Sequence, residues 1–263
     1  MSYLRPEFRH PDLPKNTLGY TKKNYEGSLS TLCSGCGHDS ISAAIVQSCF
    51  ELNIEPHRVA KMSGIGCSSK TPTYFLGNSH GFNSVHGRMP SVATGANMAN
   101  RDMIYIGVSG DGDTASIGMG QFTHAVRRNL NMLYVVENNG CYGLTKGQYS
   151  PTSEIGKVTK STPMGSLDHP FNPTKLILGA EAGFVAKTID RELKHLQEMI
   201  KRANDYNGTS FIEIYQNCNI FNDGAFSNLT DKKTKSDKLL RQKQAESQFL
   251  SAFPRYAFEA IGL

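Results

Sequence analysis

The sequence predicts an α/β protein with a parallel sheet flanked by helices. Apolar runs that are continuous rather than alternating recur along the chain, as in 103–108 (MIYIGV) and 132–136 (MLYVV). Continuous runs of that length suit strands covered on both faces, which is the condition of a parallel sheet. Both runs end in a polar turn, Gly110-Asp111-Gly112-Asp113 after the first and Asn138-Asn139 after the second. Strand, turn, helix, strand, turn is a βαβ unit. Its two turns stand side by side at the carboxyl edge of the sheet, where open α/β sheets bind ligands.

The elements follow in order. A helix is predicted over 39–52, because Ile41, Ala44, Ile45, Cys49 and Leu52 fall on one helical face. A strand near 58–63 and a helix at 90–100 continue the alternation, then a strand at 103–108, a helix at 115–128 and a strand at 131–136. The stretch 140–172 reads as a loop too long for a mere connector, and therefore as functional. A helix at 173–182, a strand at 184–188, a helix at 190–204 and the strand FIEIY at 211–215 complete the pattern. With 263 residues and 38% of them apolar, the chain can bury one large core. The expected division is an arm at 1–25, the main domain at 26–235 and an extension at 236–263.

Some classes are excluded. There is no internal repeat, and no basic stretch with interleaved aromatics or recognised module for nucleic acid. No stretch approaches the ~20 apolar residues of a membrane span, and no apolar signal region opens the chain. The expectation is a soluble cytoplasmic protein whose cysteines are not paired.

The two turns carry oxygen donors. Asp111 offers a carboxylate and Asn139 an amide oxygen, hard ligands suited to Mg²⁺, which takes one or two protein oxygens together with phosphates. Gly110 and Gly112 let the backbone approach a phosphate, and the following helix points its positive end there. The competing reading is a pair of ordinary βα turns, since Asp, Asn and Gly favour turns anyway. The presence of both turns, 25 residues apart, favours a diphosphate held through a metal.

Six cysteines bear on which chemistry this is: Cys33, Cys36, Cys49, Cys67, Cys141 and Cys218. Cys33 and Cys36 form C-x-x-C, Cys67 lies in the glycine loop GIGCSS, and Cys218 follows the strand at 211–215. Four thiolates on loops suit a [4Fe–4S] cluster or a zinc ion, and spacing alone does not decide between them. Cys49 reads as a core residue of its helix.

GDG, 25 residues, then NN resembles the thiamine diphosphate fingerprint of transketolases, decarboxylases and 2-oxoacid oxidoreductases. The set CSGCGH, GIGCSSK, HGR, GDGD and NNGCYGLTKGQYSPTS resembles, over 31–235, the β subunit of 2-oxoacid:ferredoxin oxidoreductases. The segment 156–170 (GKVTKSTPMGSLDHP) resembles the 2-oxoglutarate members in particular. The resemblance implies a thiamine diphosphate-binding fold with Cys33, Cys36, Cys67 and Cys218 holding a [4Fe–4S] cluster. It implies Mg²⁺ on Asp111, Asn139 and the main-chain oxygen of Cys141. Ile65, Gly66, Cys67, Ser68, Gly110, Gly112, Asp113, Gly143 and Leu144 would line the cofactor, with Asp113 alternatively capping the helix it begins. Lys70 resembles the basic residue that pairs with a distal substrate carboxylate. His38 and His86 are candidates for proton traffic, and Arg88 for a phosphate or carboxylate.

The implied reaction takes 2-oxoglutarate and CoA to succinyl-CoA and CO₂, with electrons passed to ferredoxin. No glutamate stands in a motif that would activate the thiamine ring, so the resemblance implies that an α subunit supplies it. Two departures stand out: Ser34 replaces the family's usual proline, and 236–263 does not resemble family tails. The net charge is +5, and Lys232, Lys233, Lys235, Lys238, Arg241 and Lys243 cluster late, either as a solvated tail or as a face for an acidic electron carrier. The alternatives are a pyruvate or broad 2-oxoacid enzyme, and a non-catalytic metal- or cluster-binding electron-transfer module. A nicotinamide-binding fold is disfavoured, because no G-x-G-x-x-G fits.

Overall fold

The computed structural model describes residues 13–231, 234 and 257–259. Its centre is a seven-stranded sheet in which every neighbouring pair is parallel. The strands are β1 (Val59–Ser63), β2 (His80–Asn83), β3 (Ile104–Gly110), β4 (Met132–Asn138), β7 (Phe184–Ile189), β8 (Thr209–Tyr215) and β9 (Ala257–Glu259), with β5 (Cys141–Tyr142) and β6 (Gln148–Tyr149) forming a separate hairpin. The spatial order is β2-β1-β3-β4-β8-β7-β9. From β1 the chain crosses to β2 on one side, and from β3 it crosses to β4 on the other. The crevice between the ends of β1 and β3 is therefore a topological switch point.

Helices cover both faces. α1 (His38–Glu51) and α5 (Leu193–Asp205) share one core layer, in which Ile41, Ile45, Val108, Leu196, Ile200 and Ile212 are buried. α2 (Met89–Ala99), α3 (Met119–Arg127) and α4 (Pro173–Gly179) face the other, with Met62, Met89, Phe122, Tyr134, Ile177 and Phe211. β3 and β4 are buried on both sides nearly throughout, which is why their sequences do not alternate. Cys49 is core, as its helical face predicts, and burial pushes its thiol up to about 12.

The differences from the sequence reading have physical causes. β2, HGFN, is an exposed edge strand with no apolar run to announce it. β3 and β4 run two residues past their apolar stretches, to Gly110 and Asn138, because their neighbours keep pairing with them. The helix predicted from 115 is split: a π-helical turn at Asp113–Ile117 precedes α3, with Gly118 at the junction. A Cβ on Gly118 would lie 2.3 Å from the Asp113 carbonyl oxygen, so only glycine allows the turn to close. Long loop 140–172 contains the β5–β6 hairpin.

The described part of the N-terminal arm lies on the domain. Asn16 Nδ2 donates to the Phe50 carbonyl oxygen (3.1 Å) and the Tyr25 hydroxyl (2.8 Å), and Tyr25 is wholly buried. Of the extension, β9 beside β7 is described, whereas the late lysines and Arg241 lie outside the described residues. No helix among the described residues is long and apolar enough to cross a membrane.

Candidate functional site

Three strand ends deliver the site. β1 passes into Gly64-Ile65-Gly66-Cys67, β3 into Asp111-Gly112-Asp113, and β4 into Asn139-Gly140-Cys141. Together they enclose a cleft of about 440 Å³ lined by Ile65 to Ser68, His86, Gly110 to Asp113, Asn139 and Cys141 to Thr145. All the residues expected around the cofactor line it. Gly112 is obligatory here, since a Cβ would stand 2.2 Å from the Tyr142 ring. A larger, apolar slot opens at the opposite edge, among Ile45, Cys49, Met103 and Met132, without convergent charge.

Asp111 is 1% exposed and forms no ion pair among the described residues. Its Oδ2 accepts the hydroxyls of Ser150 (2.5 Å) and Thr152 (2.7 Å), and Oδ1 accepts a long bond from Asn139 N (3.4 Å). Burial raises its pKa, and the two hydroxyls oppose that shift. A buried carboxylate with no counter-charge is costly, and a divalent cation on Oδ1 would supply the missing charge. Asn139 Oδ1 accepts Cys141 N–H at 3.2 Å in an Asx turn, which aims the amide oxygen, with the Cys141 thiol as a further, weak donor at 3.6 Å that a cation would displace. These donors fit Mg²⁺ with a diphosphate.

Asp113 is corrected in one respect. It is no helix cap; Gly112 takes that position. Its Oδ1 accepts Gly87 N–H (2.7 Å) and Ile65 N–H (3.3 Å) and abuts His86 Nδ1, while Oδ2 accepts the Ser109 hydroxyl (2.6 Å). The carboxylate thus gathers the loops at 64–65 and 86–87 beneath the cleft. Gly64 permits this, because a Cβ there would collide with Asp113 Oδ2 at 1.9 Å.

The four cysteines expected to hold a cluster come from three loops that meet behind Gly143. A Cβ on Gly143 would stand 3.4 Å from Cys67 Sγ and 3.9 Å from Cys218 Sγ. Asn219 Nδ2 donates to the Ser34 carbonyl oxygen at 2.7 Å, tying the Cys218 loop to the C-x-x-C loop. The Cys218 thiol is held down to about 5, first by the Cys141 thiol and then by backbone N–H groups of Phe221, Ile220 and Asn222, against burial. A thiolate with those donors is ready to ligate. The Cys36 thiol is pushed up to about 11 by burial. Among the described residues no three metal-binding side chains stand at ligating spacing around one point. Cys33 is exposed, on a loop that turns through Gly35 at φ +83°.

Of the three residues expected to act on substrate, only His86 lines the cleft, edge-on to Tyr142 at 6.2 Å. His38 lies behind it, buried, with Nδ1 3.3 Å from Cys36 Sγ and Nε2 near Ser68 Oγ (3.3 Å), Gln216 Nε2 (3.2 Å) and Glu137 Oε2 (3.5 Å). Desolvation lowers its pKa from 6.5 to about 4, and Glu137 is raised by the same cause. The histidine is therefore neutral near pH 7. The unfolded chain binds more protons at this histidine between pH 6.5 and 4, so stability falls as pH drops through that window. His38 contributes a loss of about 3 kcal/mol across it, and urea unfolding of His38→Gln over the same range is expected to show a pH dependence smaller by that amount. Parallel curves for the two proteins would contradict this.

Lys70 also lies outside the lining, half-buried, with Nζ donating to Thr31 Oγ1 at 2.9 Å. Arg88 spends its guanidinium on the Ile117 carbonyl oxygen (3.0 Å) and does not enter the cleft. The loop bearing Ser68 and Lys70 is fixed from below by Lys61, whose ammonium donates to the carbonyl oxygens of Pro72 (2.7 Å), Phe75 (2.7 Å) and Leu76 (3.0 Å). Sequence reasoning missed Lys61, Ser150, Thr152, Glu137 and Gln216. Ser150 and Thr152 stood within the quoted SPTS motif, which was the available signal.

Residues 64–214 match the family described as thiamine pyrophosphate enzyme, C-terminal TPP binding domain. The chain is 46% identical to the 2-oxoglutarate oxidoreductase subunit KorB of Mycobacterium tuberculosis, over 88% of this chain and 61% of the relative. It is 37% identical to the 2-oxoglutarate synthase subunit KorB of Methanocaldococcus jannaschii, over 71% of this chain and 68% of the relative. A solved 2-oxoglutarate:ferredoxin oxidoreductase from Magnetococcus marinus, with 2-oxoglutarate, coenzyme A and succinyl-CoA bound, superposes with TM-score 0.74 at 39% identity, covering 77% of this chain and 69% of that one. The chain spans less than two thirds of the length of the M. tuberculosis relative. A family match that takes in both turns of the cleft, together with relatives 37% to 46% identical over most of the chain, shows that this chain belongs to the thiamine pyrophosphate enzymes, among the β subunits of 2-oxoacid:ferredoxin oxidoreductases.

Proposed function

We propose that this chain is the β subunit of a 2-oxoglutarate:ferredoxin oxidoreductase, active together with an α subunit. The reaction is 2-oxoglutarate + CoA + two oxidised ferredoxin ⇌ succinyl-CoA + CO₂ + two reduced ferredoxin + H⁺. The observation that carries this reading is a shared wall. Cys67 lines the cofactor cleft and also meets Cys218 across Gly143, so an electron acceptor held by these thiols would border the cleft directly. When bound, thiamine diphosphate supplies the carbon nucleophile and the electron sink for decarboxylation, and a [4Fe–4S] cluster a one-electron acceptor.

The chain's own residues orient and shield. Asp111, Asn139 and the Cys141 carbonyl would hold Mg²⁺, and Cys33, Cys36, Cys67 and Cys218 would hold the cluster. Asp113 keeps the loops at 64–65 and 86–87 closed beneath the cleft. Glu137 does not line the cleft; its Oε2 accepts the Thr71 hydroxyl at 2.8 Å on the far side. The acid that activates the cofactor then comes from the α subunit. The bound ligands and names of the relatives support 2-oxoglutarate as the substrate and ferredoxin as the electron carrier.

The test is anaerobic co-expression with the α subunit, followed by CoA-dependent viologen reduction with a panel of 2-oxoacids that includes pyruvate. Reduction with 2-oxoglutarate is expected, and no reduction with any of them defeats the proposal. Lys70 sits at the edge of the thiol loop, where its ammonium can exchange Thr31 for a distal carboxylate. Lys70→Ala is expected to raise the KM for 2-oxoglutarate on the order of ten- to a hundredfold, the worth of a charge-assisted hydrogen bond, and that for pyruvate little. An equal rise for both acids would remove Lys70 from substrate selection.

A further inference from the structure

Glu213 and Lys187 are a buried ion pair outside the lining of the cleft, and nothing in the reaction uses them. Lys187 Nζ stands 3.2 Å from Glu213 Oε2, which also accepts the Thr174 hydroxyl at 2.6 Å. The other oxygen, Oε1, accepts Asn138 Nδ2 at 2.8 Å. Asn138 is the first residue of the asparagine pair, and its Oδ1 accepts Gly140 N–H at 3.1 Å. The anchor in β7 and β8 thereby fixes the turn that carries Asn139 and Cys141.

A second arm reaches the same point from the loop after β6. Thr152 Oγ1 is 2.7 Å from Asp111 Oδ2 and 3.1 Å from Asn138 Oδ1. It has one proton for the two, and the shorter bond to a charged acceptor is the stronger. Ser150 donates to the same Asp111 oxygen, and Ser153 Oγ donates to the Gly140 carbonyl oxygen at 2.7 Å. Two hydroxyls on Oδ2 fix the rotation of the carboxylate and leave Oδ1, which accepts only backbone N–H and no hydroxyl, as the oxygen that would ligate.

We infer that Ser150 and Thr152, acting on Asp111, and the buried Glu213–Lys187 pair, acting on the neighbouring turn through Asn138, are positioning residues that set the affinity of the Asp111–Asn139 turns for the divalent cation. This rests on the reading of those turns as a Mg²⁺–diphosphate site. None of the five side chains would touch the cation. Each acts by holding a ligand in the geometry that Mg²⁺ demands, which is stricter than that of Ca²⁺.

The test titrates Mg²⁺ into the purified α–β complex at fixed thiamine diphosphate and follows cofactor binding by calorimetry. Thr152→Val is expected to raise the Mg²⁺ concentration for half-maximal binding by about 10–100-fold, the usual cost of losing an outer partner of a metal ligand. Thr152→Ser is expected to restore it, and Ser150→Ala to shift it in the same direction as Thr152→Val. Saturating Mg²⁺ should return thiamine diphosphate affinity to the wild-type value, which a merely structural defect would not allow. A Mg²⁺ midpoint unchanged in both Thr152→Val and Ser150→Ala, or a loss of affinity that Mg²⁺ does not reverse, overturns the inference. A wild-type complex whose cofactor binding ignores Mg²⁺ overturns the site reading beneath it instead.

Discussion

Asp111→Asn is expected to abolish cation-dependent thiamine diphosphate binding while leaving the metal-free protein as stable as before, or more so. The two halves have one cause. Asp111 is 1% exposed, pairs with no cation among the described residues, and is raised in pKa by burial. Asparagine is nearly the same shape and keeps an oxygen for Ser150 and Thr152, so the substitution removes a buried charge without opening a cavity. It also removes the charge that a hard divalent cation needs. The affinity loss should exceed the roughly 100-fold upper cost of an outer partner. Thermal unfolding with and without Mg²⁺ and thiamine diphosphate checks both halves. At a hundred times Kd the wild type should gain about 2.7 kcal/mol from the ligands, and the variant nothing. A variant that still responds to the pair of ligands would place the metal elsewhere.

Cys218→Ser has the next largest expected effect, and it separates the two cofactors. The Cys218 thiol is held down to about 5 by the Cys141 thiol and by three backbone N–H groups at a chain turn. A serine hydroxyl in the same nest stays protonated and is a poor ligand for iron. Iron and labile sulfide should fall away, with the visible absorption and the reduced-state paramagnetic signal, and viologen reduction should be lost. Thiamine diphosphate binding should persist, because Cys218 does not line the cleft. Retained electron transfer would remove Cys218 from the ligand set. Zinc in place of iron in the anaerobically purified wild type would turn the thiols into a structural site.

Much of the site was legible in the sequence because its chemistry sits at strand ends. A continuous apolar run followed by GDGD is readable as strand and turn, and the second run with NN gives the spacing of one βαβ crossover. C-x-x-C and the glycine loop around Cys67 are equally local. Asp113 shows where that legibility stops. Its position next to the diphosphate turn suggested a cofactor contact or a cap; it lines the cleft but caps nothing. Its actual partners, Gly87 N–H and Ile65 N–H, are 26 and 48 residues away in sequence. Lys61 likewise reads as one lysine in an apolar stretch until Pro72, Phe75 and Leu76 turn their carbonyl groups toward it.

The sequence by itself determined the α/β class, the two oxygen-bearing turns and the family, because each is carried by motifs that are local along the chain. The tertiary structure decided what holds them. It inserts β8 between β4 and β7, which brings Glu213 to Asn138 across 75 residues, and it folds the loop after β6 back so that Ser150 and Thr152 reach Asp111. Serine, threonine and glutamate carry no pattern that names their partners. A buried carboxylate must find donors wherever the packed strands present them, and that is settled only when the order of the sheet is settled.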